Sequence, residues 1–543
     1  MLGLMQDRPL LISQIIDFAG RYYPDVEIVT RTVEGPIHRY GYGDALKRAK
    51  QVAEALQGLG IQLGDRVGTI AWNTHRHFEL YFGISGIGAV LHTLNPRLAP
   101  EHVAYIANHA EDKVIFVDLN LLPVVEGVFG QLKTVQHVVV MTDRAHMPTS
   151  SKIPNLLCYE ELIADKPGTL TWPTFDEKTA SSLCYTSGTT GNPKGVLYSH
   201  RSTMIHSMMA SNGAVIPMDP DTTLLPVVPM FHANAWGLVY AAPMCGAKLV
   251  FPGPKLDGAS VYELLDKEQV TLSAGVPTVW LALLDHCKQN NLKMSSVKRT
   301  LIGGSAVPLA MIERFWKEHG VEVVQGWGMT EMSPLGTTTR FNKGERGLPE
   351  AERFAITAKQ GRPVFGCEMK IIDDAGNDLP QDGSVSGNMV VRGPWIVKGY
   401  MKGDGRNQFL ADDWFHTGDV CRIEADGSVV ITDRSKDVIK SGGEWISSID
   451  LENAAMGCPG VAEAAVIGVA HPKWDERPLL IVVKRPEADV TKKDVLKYLE
   501  GKVAKWWLPD DVQFIDAIPH GATGKILKTA LRKHFEDYKL PTA

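Results

Sequence analysis

The stretch Tyr185-Thr-Ser-Gly-Thr-Thr-Gly-Asn-Pro-Lys-Gly195 follows the run Ser181-Ser-Leu-Cys184 and leads through Val196–Ser199 into a helical pattern. It reads as a strand entering a loop of hydroxyls, glycines and one lysine. Glycines let the backbone approach a polyphosphate closely, hydroxyls and backbone N–H groups donate to its oxygens, and a lysine adds a point charge. Thr186, Ser187, Gly188, Thr189, Thr190, Gly191 and Lys194 thus compose a phosphate cradle. The Walker register G-x-x-x-x-G-K-[ST] is missing, which disfavours a P-loop nucleoside triphosphatase.

Working outward, residues 43–120 alternate helix-period segments with short apolar runs at Arg66–Ala71, Gly88–His92 and Lys113–Asp118, the rhythm of βα units around a mostly parallel sheet. The same rhythm returns at Lys248–Phe251, Thr271–Gly275 and Arg299–Ile302, predicting a second wound sheet. From about Gly361 short alternating strands with turn signals, as around Asp374-Ala-Gly-Asn377, predict a β-rich subdomain over 360–433. After Asp433-Arg-Ser-Lys436 a glycine-bearing stretch precedes about 100 residues that mix strands and a helix. The expected architecture is α/β. A large N-terminal domain (1–433) of two wound βα sheets plus the β-rich subdomain is followed by a small, mobile α+β C-terminal domain (434–543), with a hinge near 433–437.

Bulk properties narrow the function. With 543 residues the chain exceeds one compact core, and 44% hydrophobic with 22% charged residues is ordinary for a soluble protein. The 56 basic and 62 acidic side chains give a net charge of −6 without a basic block, which speaks against nucleic acid as a partner. Seven scattered cysteines without a C-x-x-C pair suggest neither disulfides nor a zinc site. Gln6, Asp7 and Arg8 interrupt the N-terminus where a signal peptide would be apolar, and no run suits a membrane span, so a cytoplasmic enzyme is expected.

The loop YTSGTTGNPKG resembles the signature of the adenylate-forming superfamily, which includes acyl-CoA synthetases, nonribosomal adenylation domains and beetle luciferases. From about Leu10 to the C-terminus the chain is similar to bacterial medium- and long-chain fatty acyl-CoA synthetases and methylmercaptopropionate-CoA ligases, with the motifs in the same order. Gly303-Gly304-Ser305-Ala306 resembles the turn beside adenine. Gly326-Trp327-Gly328-Met329-Thr330-Glu331 resembles a motif that usually carries tyrosine where Trp327 stands. The resemblance implies that Trp327 stacks on adenine, Thr330 donates to the α-phosphate, and Glu331 with Thr186 holds Mg²⁺. His416-Thr-Gly-Asp419 and Arg434 resemble the ribose-binding pair, and Lys436 the hinge residue. Lys440, Ser441, Gly442, Gly443, Glu444 and Trp445 resemble the segment that lines the route of coenzyme A (CoA). Lys525, in Gly521-Ala-Thr-Gly-Lys525, resembles the adenylation lysine, although Pro519-His520 departs from the family pattern upstream. For the acyl pocket the resemblance implies His232, flanking the carboxylate, Trp236, Gly304 and Gly328.

Thr186, His232, Glu331 and Lys525 are thus the candidate catalytic residues. The implied reaction joins a carboxylic acid to AMP with release of pyrophosphate and then transfers the acyl group to CoA. It needs ATP, Mg²⁺ and CoA, and donors and cations aimed at developing phosphate charge. A fatty or thioether acid is the expected substrate, and a homodimer the expected assembly. An aryl or cinnamoyl-type CoA ligase, and a non-catalytic nucleotide or acyl sensor, are the competing readings. Lys194, Glu331, Asp419, Arg434 and Lys525 together argue against a mere sensor, which has little need of Lys525.

Overall fold

The computed structural model describes residues 1, 3–186, 192–442, 444–521 and 525–543. Ser187, Gly188, Thr189, Thr190, Gly191, Gly443 and the side chain of Glu444, named above as candidates, lie outside the described residues.

Continuous Val/Ile/Phe runs such as Val114–Val117 and Val138–Val140 have no polar face to turn to water. They form the inner strands of a seven-stranded sheet ordered 157–158, 137–141, 112–118, 66–70, 90–93, 180–185, 195–199. All its pairs are parallel except the last, so the phosphate loop joins two antiparallel neighbours. A nine-stranded sheet is parallel through its centre, from 27–31 through 248–251, 223–226, 272–275 and 299–302 to 322–328. Antiparallel strands close both its edges. The first two strands of the chain, Glu27–Arg31 and Ile37–Gly41, thus belong to the sheet built mainly by residues 223–363, an interleaving that the sequence reading did not foresee.

The two sheets enclose the helix His75–Gly86, every residue of which is buried. Its polar members survive by pairing. Arg48 Nε donates to Glu79 at 2.8 Å, Tyr159 Oη to Glu79 at 2.6 Å, and Arg76 bridges Glu34 and Glu160 at 2.8 Å each. Four antiparallel strands, 368–372, 387–392, 415–423 and 429–434, form the β-rich subdomain, and its core residues join the apolar cluster that spans both large sheets. The C-terminal residues build a five-stranded sheet that is mostly antiparallel, with separate apolar clusters on its two sides. The expected α/β class is found. Among the described residues no helix is long and apolar enough to cross a membrane.

Removing one partner of a buried ion pair leaves the other charge uncompensated, which costs about 3–5 kcal/mol. Arg48→Met, facing the fully buried Glu79, is therefore expected to lower thermal stability sharply. Arg48→Met/Glu79→Gln is expected to recover part of the loss in the same melting experiment.

Candidate active site

A crevice at the carboxyl ends of parallel strands is where wound sheets gather ligands. Here the ends of five strands converge. Thr93 and Asn95 follow strand 90–93, Tyr185 and Thr186 end strand 180–185, and Phe231 and His232 follow strand 223–226. Gly303 and Gly304 follow strand 299–302, and Gly326–Glu331 close strand 322–328. They surround a cavity of about 250 Å³ that Arg434 and Lys525 also line.

Glycines shape this wall where side chains cannot fit. A Cβ on Gly303 would meet the Gly326 carbonyl oxygen at 2.9 Å, and one on Gly328 would meet the Pro334 carbonyl oxygen at 1.9 Å. The neck of the phosphate loop is drawn shut by Thr186 N donating to the Lys194 carbonyl at 2.9 Å, with Lys194 N 3.4 Å from Thr186 Oγ1.

Three of the charged groups in the cavity, Lys194, Glu331 and Arg434, have specific companions. Lys194 Nζ donates to Gln408 Oε1 at 2.8 Å and lies 5.0 Å from the centre of the Tyr400 ring. The Tyr400 hydroxyl donates to Glu331 Oε1 at 2.7 Å. Burial pushes the Glu331 carboxyl up, while the Tyr400 hydroxyl, Arg434 and Lys525 pull it back. Trp327 Nε1 donates to Asp419 Oδ2 at 3.0 Å, and Arg434 Nε stands 3.3 Å from Asp419 Oδ1. The indole at position 327 therefore supplies a donor that the sequence reading did not credit to it. Burial, helped by Arg434, lowers the Lys525 ammonium to about 8 against the opposing pull of Asp419 and Glu331. His232 is pushed down to about 4 by burial and by Lys525, so it stands in the site as a neutral imidazole.

The segment carrying His232 and Trp236 is not an ordinary apolar helix. Ala233, Asn234, Ala235 and Trp236 have φ of 43, 53, 49 and 57°, a left-handed turn completed by Gly237 at 75°. Such a turn costs L-residues about 1–2 kcal/mol each. Buried polar contacts hold it. Asn234 Nδ2 donates to Ser182 Oγ at 2.8 Å, and Asn73 accepts from Met230 N at 2.7 Å while donating to the carbonyls of Pro226 and Val228. A Cβ on Gly237 would lie 2.6 Å from the His206 ring. The turn sets Trp236 as the wall between the main cavity and a second one of about 280 Å³, and both cavities share His232, Gly304 and Lys525. Arg97 lines the second cavity, 5.7 and 5.8 Å from the ring centres of Trp72 and Phe231.

Of the candidates, Thr186, Lys194, His232, Trp236, Gly304, the run Gly326–Glu331, Arg434 and Lys525 come together around the main cavity. Asp419 stands behind Trp327 and Arg434. Ser305 and Ala306 fall outside the lining. Lys440, Ser441 and Trp445 belong to the strands 439–441 and 444–446 of the C-terminal sheet, Gly442 follows the first of them, and none of the four lines either cavity. Lys436 is exposed, and partial desolvation of its ammonium lowers it. Tyr400, Gln408 and Asn73 went unforeseen, because their partners lie far off in sequence.

Residues 17–401 match the family model "AMP-binding enzyme" and residues 450–525 match "AMP-binding enzyme C-terminal domain". The chain belongs to the AMP-binding enzyme family. This AMP-binding enzyme is 50% identical over 537 residues to a 3-methylmercaptopropionyl-CoA ligase of Ruegeria lacuscaerulensis, with 99% of each chain covered. It is 46% identical over 540 residues to a medium-chain-fatty-acid–CoA ligase of Ectopseudomonas oleovorans, covering 99% of this chain and 98% of that one. Among solved structures, the anthranilate CoA ligase AuaEII in complex with anthranoyl-AMP superposes with a TM-score of 0.87 at 25% identity, covering 98% and 99% of the two chains.

Trp327→Phe keeps an aromatic face but removes the donor to Asp419. A hydrogen bond to a charged acceptor is worth about 1.5–3 kcal/mol when buried. The half-exposed Arg434 remains, so a rise of about 3- to 10-fold in the ATP KM is expected, read by titrating MgATP at saturating acid. The charged Lys525 is the form that can meet phosphate oxygens. With its ammonium at about 8, kcat/KM for ATP is expected to fall as pH rises through about 8. Lys525→Arg, which stays protonated, is expected to lose that descending limb whatever its absolute rate.

Proposed function

We propose that the chain is an AMP-forming acid–CoA ligase acting on an unbranched aliphatic or thioether carboxylic acid. The observation that carries the reading is the meeting of Lys194, Glu331, Arg434 and Lys525 with His232 and Trp236 around one cavity whose other wall is apolar. The same cavity runs past Ala210, Ile216, Leu301 and Leu335, a surface suited to a hydrocarbon or thioether chain.

A carboxylate repels nucleophiles and has no good leaving group. Joining it to AMP cures both faults, provided that negative charge on the α-phosphate and the departing pyrophosphate is met by fixed donors. Lys194 and Thr186 face the phosphates, Thr330 the α-phosphate, and Lys525 bridges it to the acid. Asp419 and Arg434 hold the ribose, with Trp327 and Gly304 beside the base. His232, neutral in this cavity, borders the carboxylate as a hydrogen-bonding partner and carries no charge into the step.

Among the described residues no three His, Cys, Asp or Glu side chains cluster as a metal site. One buried carboxylate and one hydroxyl, Glu331 and Thr186, nevertheless suit Mg²⁺, an ion usually held by one or two carboxylates together with substrate phosphates. When bound it would neutralise phosphate charge.

The second cavity reaches His232, Trp236, Gly304 and Lys525 from the opposite side, and it supports the route of the CoA thiol, with Arg97 suited to a phosphate of that substrate. The hairpin of Lys440–Trp445 belongs to the same folded unit as Lys525 and lies outside both cavities. For the hairpin to reach the thiol, the unit must turn on the segment around Lys436 and withdraw Lys525. A homodimer and a cytoplasmic setting carry over from the resemblance.

The test is pyrophosphate and AMP release over acids from propionate to palmitate, with methylmercaptopropionate, cinnamate and anthranilate included. Release with straight-chain or thioether acids supports the reading. Release confined to aromatic acids replaces it with an aryl ligase, and ATP binding without acid-dependent release replaces it with a sensor. Lys525→Ala is expected to lose adenylation by about 100-fold or more while largely keeping thioester formation from presupplied acyl-adenylate. Equal losses in both half-reactions would contradict the turning unit.

A further inference from the structure

Tyr185 is the last residue of its strand and precedes Thr186, at the root of the phosphate loop. Its hydroxyl stands 2.6 Å from Nδ1 of His109. His109 lies in the last turn of the helix Pro100–Ala110, outside every motif considered above. Its ring stacks on Tyr105 with centroids 5.5 Å apart and meets the Tyr185 ring edge-on at 5.8 Å. Its other nitrogen, Nε2, is 3.9 Å from Asp404. One turn further on, Glu111 pairs with Lys402 at 2.9 Å and with Arg66 at 2.8 Å.

The segment 400–408 that meets this helix end is the one that carries Tyr400 to Glu331 and Gln408 to Lys194. A single helix terminus therefore touches both sides of the phosphate site, the strand end before Thr186 and the segment that holds Lys194 and Glu331. Behind it, the fully buried pair His92 and Asp112, 2.8 Å apart, backs the Tyr185 ring at a centroid distance of 5.2 Å. His109 and His92 thus hold the Tyr185 side chain from two sides.

We propose that His109 is a positioning residue for the triphosphate. Resting on the nucleotide site described under the proposed function, it fixes Thr186 through the Tyr185 hydroxyl, while its helix end, through Glu111 and Lys402, braces the segment that orients Lys194. Its side chain does not line the nucleotide cavity and takes no part in the chemistry. Its effect falls on the affinity for MgATP alone.

The experiment compares His109→Leu, His109→Asn, Tyr185→Phe and the double variant His109→Leu/Tyr185→Phe in full-length enzyme, with melting temperatures measured alongside. His109→Leu and Tyr185→Phe are each expected to raise the MgATP KM by about 5- to 10-fold, the scale of one lost hydrogen bond. The acid KM, and the rate of thioester formation from presupplied acyl-adenylate, should stay within about 2-fold of wild type, since neither uses the triphosphate. Asn places an acceptor near the Nδ1 position and should recover most of the loss. The double variant should be no worse than the poorer single, because both remove one contact. An unchanged MgATP KM, equal losses in both half-reactions, or multiplying effects of the two positions would overturn the proposal. If His109→Leu does not fold, His109→Phe, which keeps a ring between Tyr105 and Tyr185 but offers no acceptor, takes its place, because Tyr185 itself lines the cavity and Tyr185→Phe alone would not separate a direct contact from the link to His109. If the wild-type enzyme released no pyrophosphate with any acid, the proposed function would fail first. MgATP binding measured by calorimetry on the same variants would still judge His109 separately.

Discussion

A cavity built to receive a polyanion must hold its own charges in place before the polyanion comes. Unpaired charge is costly away from water, and flexible charge costs entropy on binding. Lys194, Glu331 and Asp419 are accordingly tethered by residues of different segments. Tyr400 holds Glu331, Gln408 holds Lys194, and Trp327 and Arg434 share the two oxygens of Asp419. Donors already aimed at developing charge need no reorganisation when it appears, which is the source of electrostatic catalysis.

This requirement explains why a small antiparallel subdomain is fused to two wound sheets. The strand ends of the sheets bring glycines and backbone close to the phosphates, but their loops are too short to brace the long side chains of Lys194 and Glu331. The bracing comes from residues 400–434, whose core packs continuously with the sheets. The buried helix His75–Gly86 locks the sheets to each other, and Asn73 just before it clamps the strand end that leads to His232. Packing and site geometry are joined at that point.

What was legible in the sequence was local. The phosphate loop, the turn Gly303–Gly304 and the run Gly326–Glu331 were readable because close backbone approach demands small residues in consecutive positions, and apolar runs marked most parallel strands. Long-range contacts were not readable. No pattern around Tyr400, Gln408 or His109 announces partners that are 69, 214 and 76 residues away. The insertion of Glu27–Arg31 into the later sheet is equally a matter of register with Leu249–Phe251 and not of composition. The left-handed turn at 233–236 defeated a propensity argument for a simple reason. Ala-Asn-Ala-Trp favours an ordinary helix, and only Gly237 against His206 and the buried contacts of Asn234 make the strained form the better one.

That turn also bears on how two substrates reach one carbonyl. Trp236 and His232 are the partition between two cavities, so a chain arriving on one side and a thiol on the other meet at the partition without sharing a channel. Lys525 lines both cavities in this arrangement and so occupies the junction. Under the proposed function, a lysine there meets phosphate charge during adenylation but obstructs the approach from the second side. Its place on a unit with its own apolar clusters, joined to the rest through the segment beyond Arg434, lets it be removed as a body and not by rotamer change. The link is not slack, however. Ser448 N donates to Asp433 Oδ2 at 2.9 Å, and Lys528 binds both Ser448 and Glu452 across the start of that unit. Under the proposed function, departure of Lys525 requires a pivot beyond Arg434 that also breaks the Ser448–Asp433 contact, because a pivot before Arg434 would carry that residue away with the lysine.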